Sequence, residues 1–146
     1  MNDIDPYLNY SILIKFNLIY SIVEGDYSLE DYMNLRKNII GDSNYNSSYN
    51  QIIDFRNSKY IGTREEINTY IEWKVQNNEL GQVKTSLLID LPHQAVVTTL
   101  FISHPLVNNL QTDIFTTLQG ALNFVGINQS HLGLIKKEIK QVISKK

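Results

Sequence analysis

Residues 54–66, DFRNSKYIGTREE, hold the densest set of side chains able to do chemistry. Asp54 ends an apolar run; Arg56, Asn57, Ser58 and Lys59 follow; then come Gly62, Thr63, Arg64, Glu65 and Glu66. A carboxylate that interrupts an apolar strand needs partners, because a lone buried charge is costly. Asp54 is therefore expected at a strand end, ionised and accepting hydrogen bonds from the backbone or from Arg56, and shaping the 56–63 loop. Glu65 and Glu66, or Asp54 with Glu65, have the types of an acid–base pair, but acids in the first turn of a helix are what the helix dipole favours. Thr63 and Glu66 have the T-x-x-E spacing of a capping box, so Thr63 reads as a helix N-cap.

Other chemistries find little support. Neither G-x-G-x-x-G nor G-x-x-x-x-G-K occurs, which argues against the common nucleotide-binding loops. His93, His104 and His131 lack the spacing of a metal site, and Pro105 breaks the helical phase that would align the first two. The chain has no cysteine, which removes thiol catalysis, thiolate metal sites and disulfides. A Ser-His-Asp site stays open as an alternative, although no serine sits in a G-x-S-x-G elbow. The expectation is no catalytic residue, no cofactor and no metal.

The elements that must position these residues are legible. YSILIKFN and LIYSIVEGDYS, broken near Asn17, read as a β-hairpin, with Ile12, Ile14 and Phe16 in strict alternation. Ser28 and Asp31 open a helix with Leu29, Tyr32, Leu35 and Ile39 at helical spacing, stopped by Gly41. QIIDF is a short buried strand. Ile67, Tyr70, Ile71 and Val75 give the next helix one apolar face. TSLLIDL is a continuous apolar run, the mark of a central strand covered on both sides. Pro92 starts a third helix, TDIFT is a last strand, and Thr117 caps a helix with Leu118, Ala121, Leu122 and Val125 on one face. Leu132, Ile135, Ile139, Val142 and Ile143 make the last helix amphipathic, too good for a free tail; it is expected to pack on the domain or, as a homodimer contact, on a second copy. The order β-β-α-β-α-β-α-β-α-α predicts an α/β fold with a mostly parallel sheet and an antiparallel edge from the hairpin.

With 146 residues, one domain over 1–127 and a helical extension over 128–146 are expected. Net charge is −2, but residues 136–146 carry +4 and the rest −6. An acidic body argues against nucleic acid as a partner. The polar, acidic start MNDIDPYLNY lacks the basic region of a signal peptide, and no apolar stretch is long enough to span a bilayer, so a cytoplasmic location without membrane insertion is expected. The chain has nine tyrosines and one tryptophan; Tyr32 and Tyr70 fall at core-facing helical positions and Trp73 near the solvent boundary of its helix, so core packing and not ligand stacking is expected of the aromatics.

The strand end Ile53, Asp54, Phe55, Arg56 and the unit Ile114, Phe115, Thr116, Ala121, Leu122 resemble the STAS-like domains related to bacterial anti-anti-sigma factors, and more closely uncharacterised STAS/SEC14-like bacterial proteins. The resemblance spans about residues 10–127. It implies a four- or five-stranded sheet with helices on one side, used for recognition of a protein partner, a kinase or another regulator, and not for catalysis. In phosphorylated members a D-S-S-G at a helix start carries the modified serine; here Gly62, Thr63, Arg64 and Glu65 stand there. The resemblance thus makes Asp54, Arg56, Asn57, Ser58, Thr63, Arg64 and His93 the candidate interaction or switch surface, at strand C-terminal ends where open α/β sheets place their sites. Binding of a small, lipid-like apolar ligand between sheet and helices is the alternative.

Overall fold

A computed structural model describes residues 5–77, 79, 83–107 and 111–145. The first four residues of the acidic start and Lys146 of the basic tail lie outside the described residues. The elements are β1 (Tyr7–Leu13), β2 (Leu18–Tyr27), α1 (Leu29–Ile40), β3 (Asn50–Asp54), β4 (Ser58–Tyr60), α2 (Arg64–Gln76), β5 (Thr85–Leu88), α3 (Pro92–Ile102), β6 (Thr112–Phe115), α4 (Leu118–Phe124) and α5 (Leu132–Ile143). The expected α/β class and mostly parallel sheet hold, with six strands instead of four or five, because Ser58–Tyr60, expected as loop, forms β4.

The sheet order is β1-β2-β3-β5-β6, with β4 beside the far end of β2. β1 and β2 form the antiparallel hairpin; every other pairing is parallel. The hairpin strand ends at Leu13, not at Phe16: Ile14–Phe16 wind into a 3-10 turn that closes on Asn17 in the left-handed region, φ 50°. The alternation of Ile12, Ile14 and Phe16 is thus cut short by the turn, and Ile14 is exposed. β2 pairs with β3 through Ile22–Asp54 and with β4 from Gly25–Ser58. Gly25 sits at φ 76°, a conformation open to glycine, where the strand changes neighbour.

Strand alternation sends residues to opposite faces. Tyr20, Ile22 and Ile52 join Leu122, Val125, Ile135, Ile139 and Val142 of the α4–α5 side in one core. Ile19, Val23, Ile53 and Leu87 join Tyr32, Leu35, Ile39 and Tyr70 of α1 and α2 in the other. Both faces are covered, whereas the resemblance implied one. The terminal helix packs on the domain: Ile135 and Val142 are fully buried, and the Tyr7 hydroxyl donates to the Val142 carbonyl. Ile143, expected on the apolar face, lies at its rim and is exposed.

Both expected capping boxes form. Ser28 accepts from the Asp31 amide, and Asp31 accepts from the Ser28 amide. Thr63 does the same with Glu66. In α2 the apolar face departs from expectation: Val75 is exposed and Lys74 is turned inward. At 3.6 residues per turn, Lys74 falls nearly in line with Ile67 while Val75 falls roughly a quarter turn away. Among the described residues, no helix is long and apolar enough to cross a membrane.

Candidate functional site

Asp54 ends β3 on the α4–α5 side of the sheet, and it is the centre of a buried network. It is 3% exposed. Its Oδ1 accepts from the Arg56 amide (3.1 Å) and Arg56 Nε (3.0 Å); its Oδ2 accepts from Arg56 Nη2 (2.8 Å) and the Tyr20 hydroxyl (2.5 Å). The paired guanidinium fork and carboxylate fix both side chains. Hydrogen bonds to Asp54 hold the Arg56 guanidinium above its ordinary pKa. Burial, reinforced by Asp54, raises the Tyr20 phenol as well, so it keeps its proton and donates.

The rest of the sequence candidates fall into two further groups. Asn57 adopts φ 64° and turns the chain from β3 into β4; its amide approaches Asp90 Oδ1 (3.4 Å). Ser58 is buried, its hydroxyl donating to the Phe55 carbonyl (2.5 Å). The Ser58 carbonyl meets His93 Nε2 and Gln94 Nε2, each at 3.0 Å. Gln94 Oε1 accepts from the amides of Asp90 (2.8 Å) and Leu91 (3.1 Å), so one buried side chain ties β4 to the start of α3. His93 thus reaches the Ser58 main chain and not its hydroxyl, and His104 Nδ1 accepts from the Leu106 amide. Thr63 and Arg64 stand apart, exposed at the start of α2. The Thr63 hydroxyl accepts from the Glu66 amide (3.3 Å), a cap of a kind worth about 1 kcal/mol. No cluster of metal-ligating side chains occurs among the described residues.

A cavity of about 120 Å³ lies on the opposite face, between the sheet and α1, α2 and α3. Ile53, Phe55 and Leu87 form its floor; Tyr32, Tyr70 and Phe101 stand among its walls. Tyr32 meets Tyr70 edge-on at 5.2 Å and Phe55 stacked at 5.9 Å. Its polar end lies by the N-terminal ends of β3 and β5, away from the 54–63 segment. There Arg36, 2% exposed, donates from Nη1 to Gln51 Oε1 (2.7 Å) and from Nη2 to Glu79 Oε1 (3.3 Å). Glu79 Oε2 accepts from the Tyr45 hydroxyl (3.2 Å). Arg36 Nε is buried without a partner among the described residues. Lys74, on the same wall, places Nζ 3.4 Å from the Tyr70 hydroxyl and 5.3 Å from its ring centre.

Burial pulls the Lys74 pKa down to about 7; Arg36 pushes the same way and Glu79 opposes. Burial raises the phenols of Tyr32 and Tyr70, so both stay protonated through the neutral range. Sequence reasoning named none of Arg36, Gln51, Tyr45, Lys74 or Glu79 as site residues, although helical phase could have found two of them. Arg36 follows Tyr32 by one turn, and Lys74 follows Tyr70 by one turn. No protein-family model matches the chain, and no curated protein matches it either.

Two predictions test these networks. Asp54→Ala leaves the Tyr20 hydroxyl buried and unpaired, whereas Arg56, one-third exposed, can be rehydrated. The expected loss is about 1–3 kcal/mol in urea denaturation, and an unchanged midpoint would remove Asp54 from the structural role. Lys74 gives a pH dependence. The unfolded chain holds this proton up to the ordinary 10.5, the folded chain only to about 7. Between those values the unfolded state binds more protons, so stability rises with pH. Wild type is expected to gain stability from about pH 7 to 9 relative to Lys74→Met; parallel profiles would contradict the lowered pKa.

Proposed function

We propose that this chain is a non-enzymatic binding domain for a small molecule with an apolar body and a hydrogen-bond acceptor at one end. The observation that carries this is the cavity: aromatic walls, and at one end a buried Arg36 whose Nε lacks a partner among the described residues. Binding sites for small molecules are concave and mostly apolar, with a few placed polar groups. Its volume, about 120 Å³, limits the occupant to one ring or a short chain; an apolar core cavity of ~150 Å³ takes a single benzene. A long acyl chain does not fit, which narrows the lipid-like alternative to something smaller.

A second reading keeps the STAS-like expectation of protein recognition. It is favoured by Ile61 (57% exposed) and Leu91 (45%), apolar side chains on the two segments that the Ser58–His93 contact ties together. The two readings separate by experiment. Benzyl alcohol at a hundredfold excess over its Kd is expected to stabilise the protein by about 2.7 kcal/mol, and the cavity-filling Val97→Phe to abolish that gain. No saturable shift with benzyl alcohol or benzoate would sink the ligand reading. For the recognition reading, Ile61→Glu with Leu91→Glu should remove a specific co-purifying protein from the native cell at unchanged thermal stability; its retention would remove this surface from consideration.

A further inference from the structure

Lys74 has the surroundings of a nucleophilic amine. It lines the cavity, and its Nζ contacts the Tyr70 hydroxyl at 3.4 Å. Glu79, the acid whose charge acts on Lys74, has both oxygens engaged, one by Arg36 and one by Tyr45. Among the described residues, no carboxylate lies within ion-pair distance of Lys74. The groups facing it are Arg36 and Tyr32 of α1, Tyr70 of its own helix, and Glu79 beyond that helix. Desolvation in an apolar pocket beside another cation is the arrangement that turns a lysine into a nucleophile at neutral pH.

We infer that Lys74 captures a small aldehyde or ketone in this cavity as a reversible imine. The inference rests on the cavity being the ligand site and names the chemical class of its occupant. The amine lone pair attacks the carbonyl carbon and the C–N bond forms. As the carbonyl oxygen takes the Tyr70 phenolic proton, the nitrogen passes one of its own to the Tyr70 oxygen, giving a carbinolamine. Tyr70 then protonates the hydroxyl, the C–O bond breaks, and water leaves. The second nitrogen proton restores the phenol. One amine and one carbonyl give one imine and one water, with no change in oxidation state. Tyr70 suits the relay because burial keeps its phenol protonated, while the amine, its pKa lowered to about 7, is half neutral at that pH.

The test uses the full chain with benzaldehyde, trapped by cyanoborohydride and mapped by peptide mass spectrometry. One benzyl group is expected on Lys74, at least tenfold faster at pH 7.5 than on Lys37, an exposed lysine of α1. The Lys74 rate should level off above about pH 8, where the amine is already neutral. Val97→Phe should slow labelling of Lys74 and not of Lys37. Tyr70→Phe should slow it about tenfold, and Lys74→Arg should remove the fast label. If Lys74→Arg does not fold, the wild-type rate ratio and its pH profile decide alone. Benzyl alcohol, which has the ring but no carbonyl, separates the two claims. If it binds and Lys74 is labelled no faster than Lys37, the imine is refuted and the ligand reading stands. If it does not bind and Lys74 shows no preference, both fall. Fast labelling that survives Val97→Phe would place the reaction outside the cavity and also overturn the inference.

Discussion

The direction in which the sheet grows constrains the rest of this molecule. From β2 the chain steps to β3, then β5, then β6, always outward on the same side. Parallel crossovers are right-handed almost without exception, so steps in one direction put every crossover helix on one face. α1, α2 and α3 therefore share a face, and the other would be open to water. The chain closes it after the last strand, with α4 and α5 bringing Leu122, Val125, Ile135 and Val142 onto Tyr20, Ile22 and Ile52. The sheet has no point where strand order reverses, and so lacks the crevice at which doubly wound sheets bind ligands.

Three helices on one face must also pack on one another, and the packing leaves a cavity where aromatic rings meet buried charge. Ion pairs inside a protein are weak contributors to stability, because desolvation offsets much of the attraction. Arg36 and Glu79 are tolerated because Gln51 and Tyr45 supply further hydrogen bonds. Among the described residues Lys74 has no carboxylate in ion-pair contact, and, half-buried on the cavity wall, it responds to desolvation by shedding its proton more readily. The polar end of the cavity thus combines a fixed cation with an amine that changes charge near neutrality.

The Asp54 network works on the opposite face. Ile53 and Asp54 are neighbours in sequence, but alternation sends Ile53 to the cavity floor and Asp54 toward Tyr20. The turn that follows is held by its own devices: the left-handed Asn57, the Ser58 hydroxyl on Phe55, and Gln94 from α3. With its polar groups so engaged, the segment richest in functional side chains reads chiefly as a strand handing over to a helix.

The sequence by itself determined the class of fold, both capping boxes, the hairpin, the central place of β5 and the stripe that docks α5. Each of these rests on local chemistry or on periodicity, which a linear pattern records. It also marked Asp54 as a buried acid with Arg56 as partner, since the two are close along the chain. Tertiary structure alone decided the remainder. Ser58–Tyr60 became a strand because β2, with Gly25 at its bend, presented an edge to it. Tyr20 reached Asp54 across 34 residues of sequence. The cavity gathers Arg36, Gln51, Lys74 and Glu79 from four segments, and long-range side-chain contacts leave no spacing to read. Arg36 and Lys74 each follow an inward tyrosine by one helical turn, but what an inward-facing cation meets depends on how the helices pack, and that is settled only when both faces of the sheet are closed.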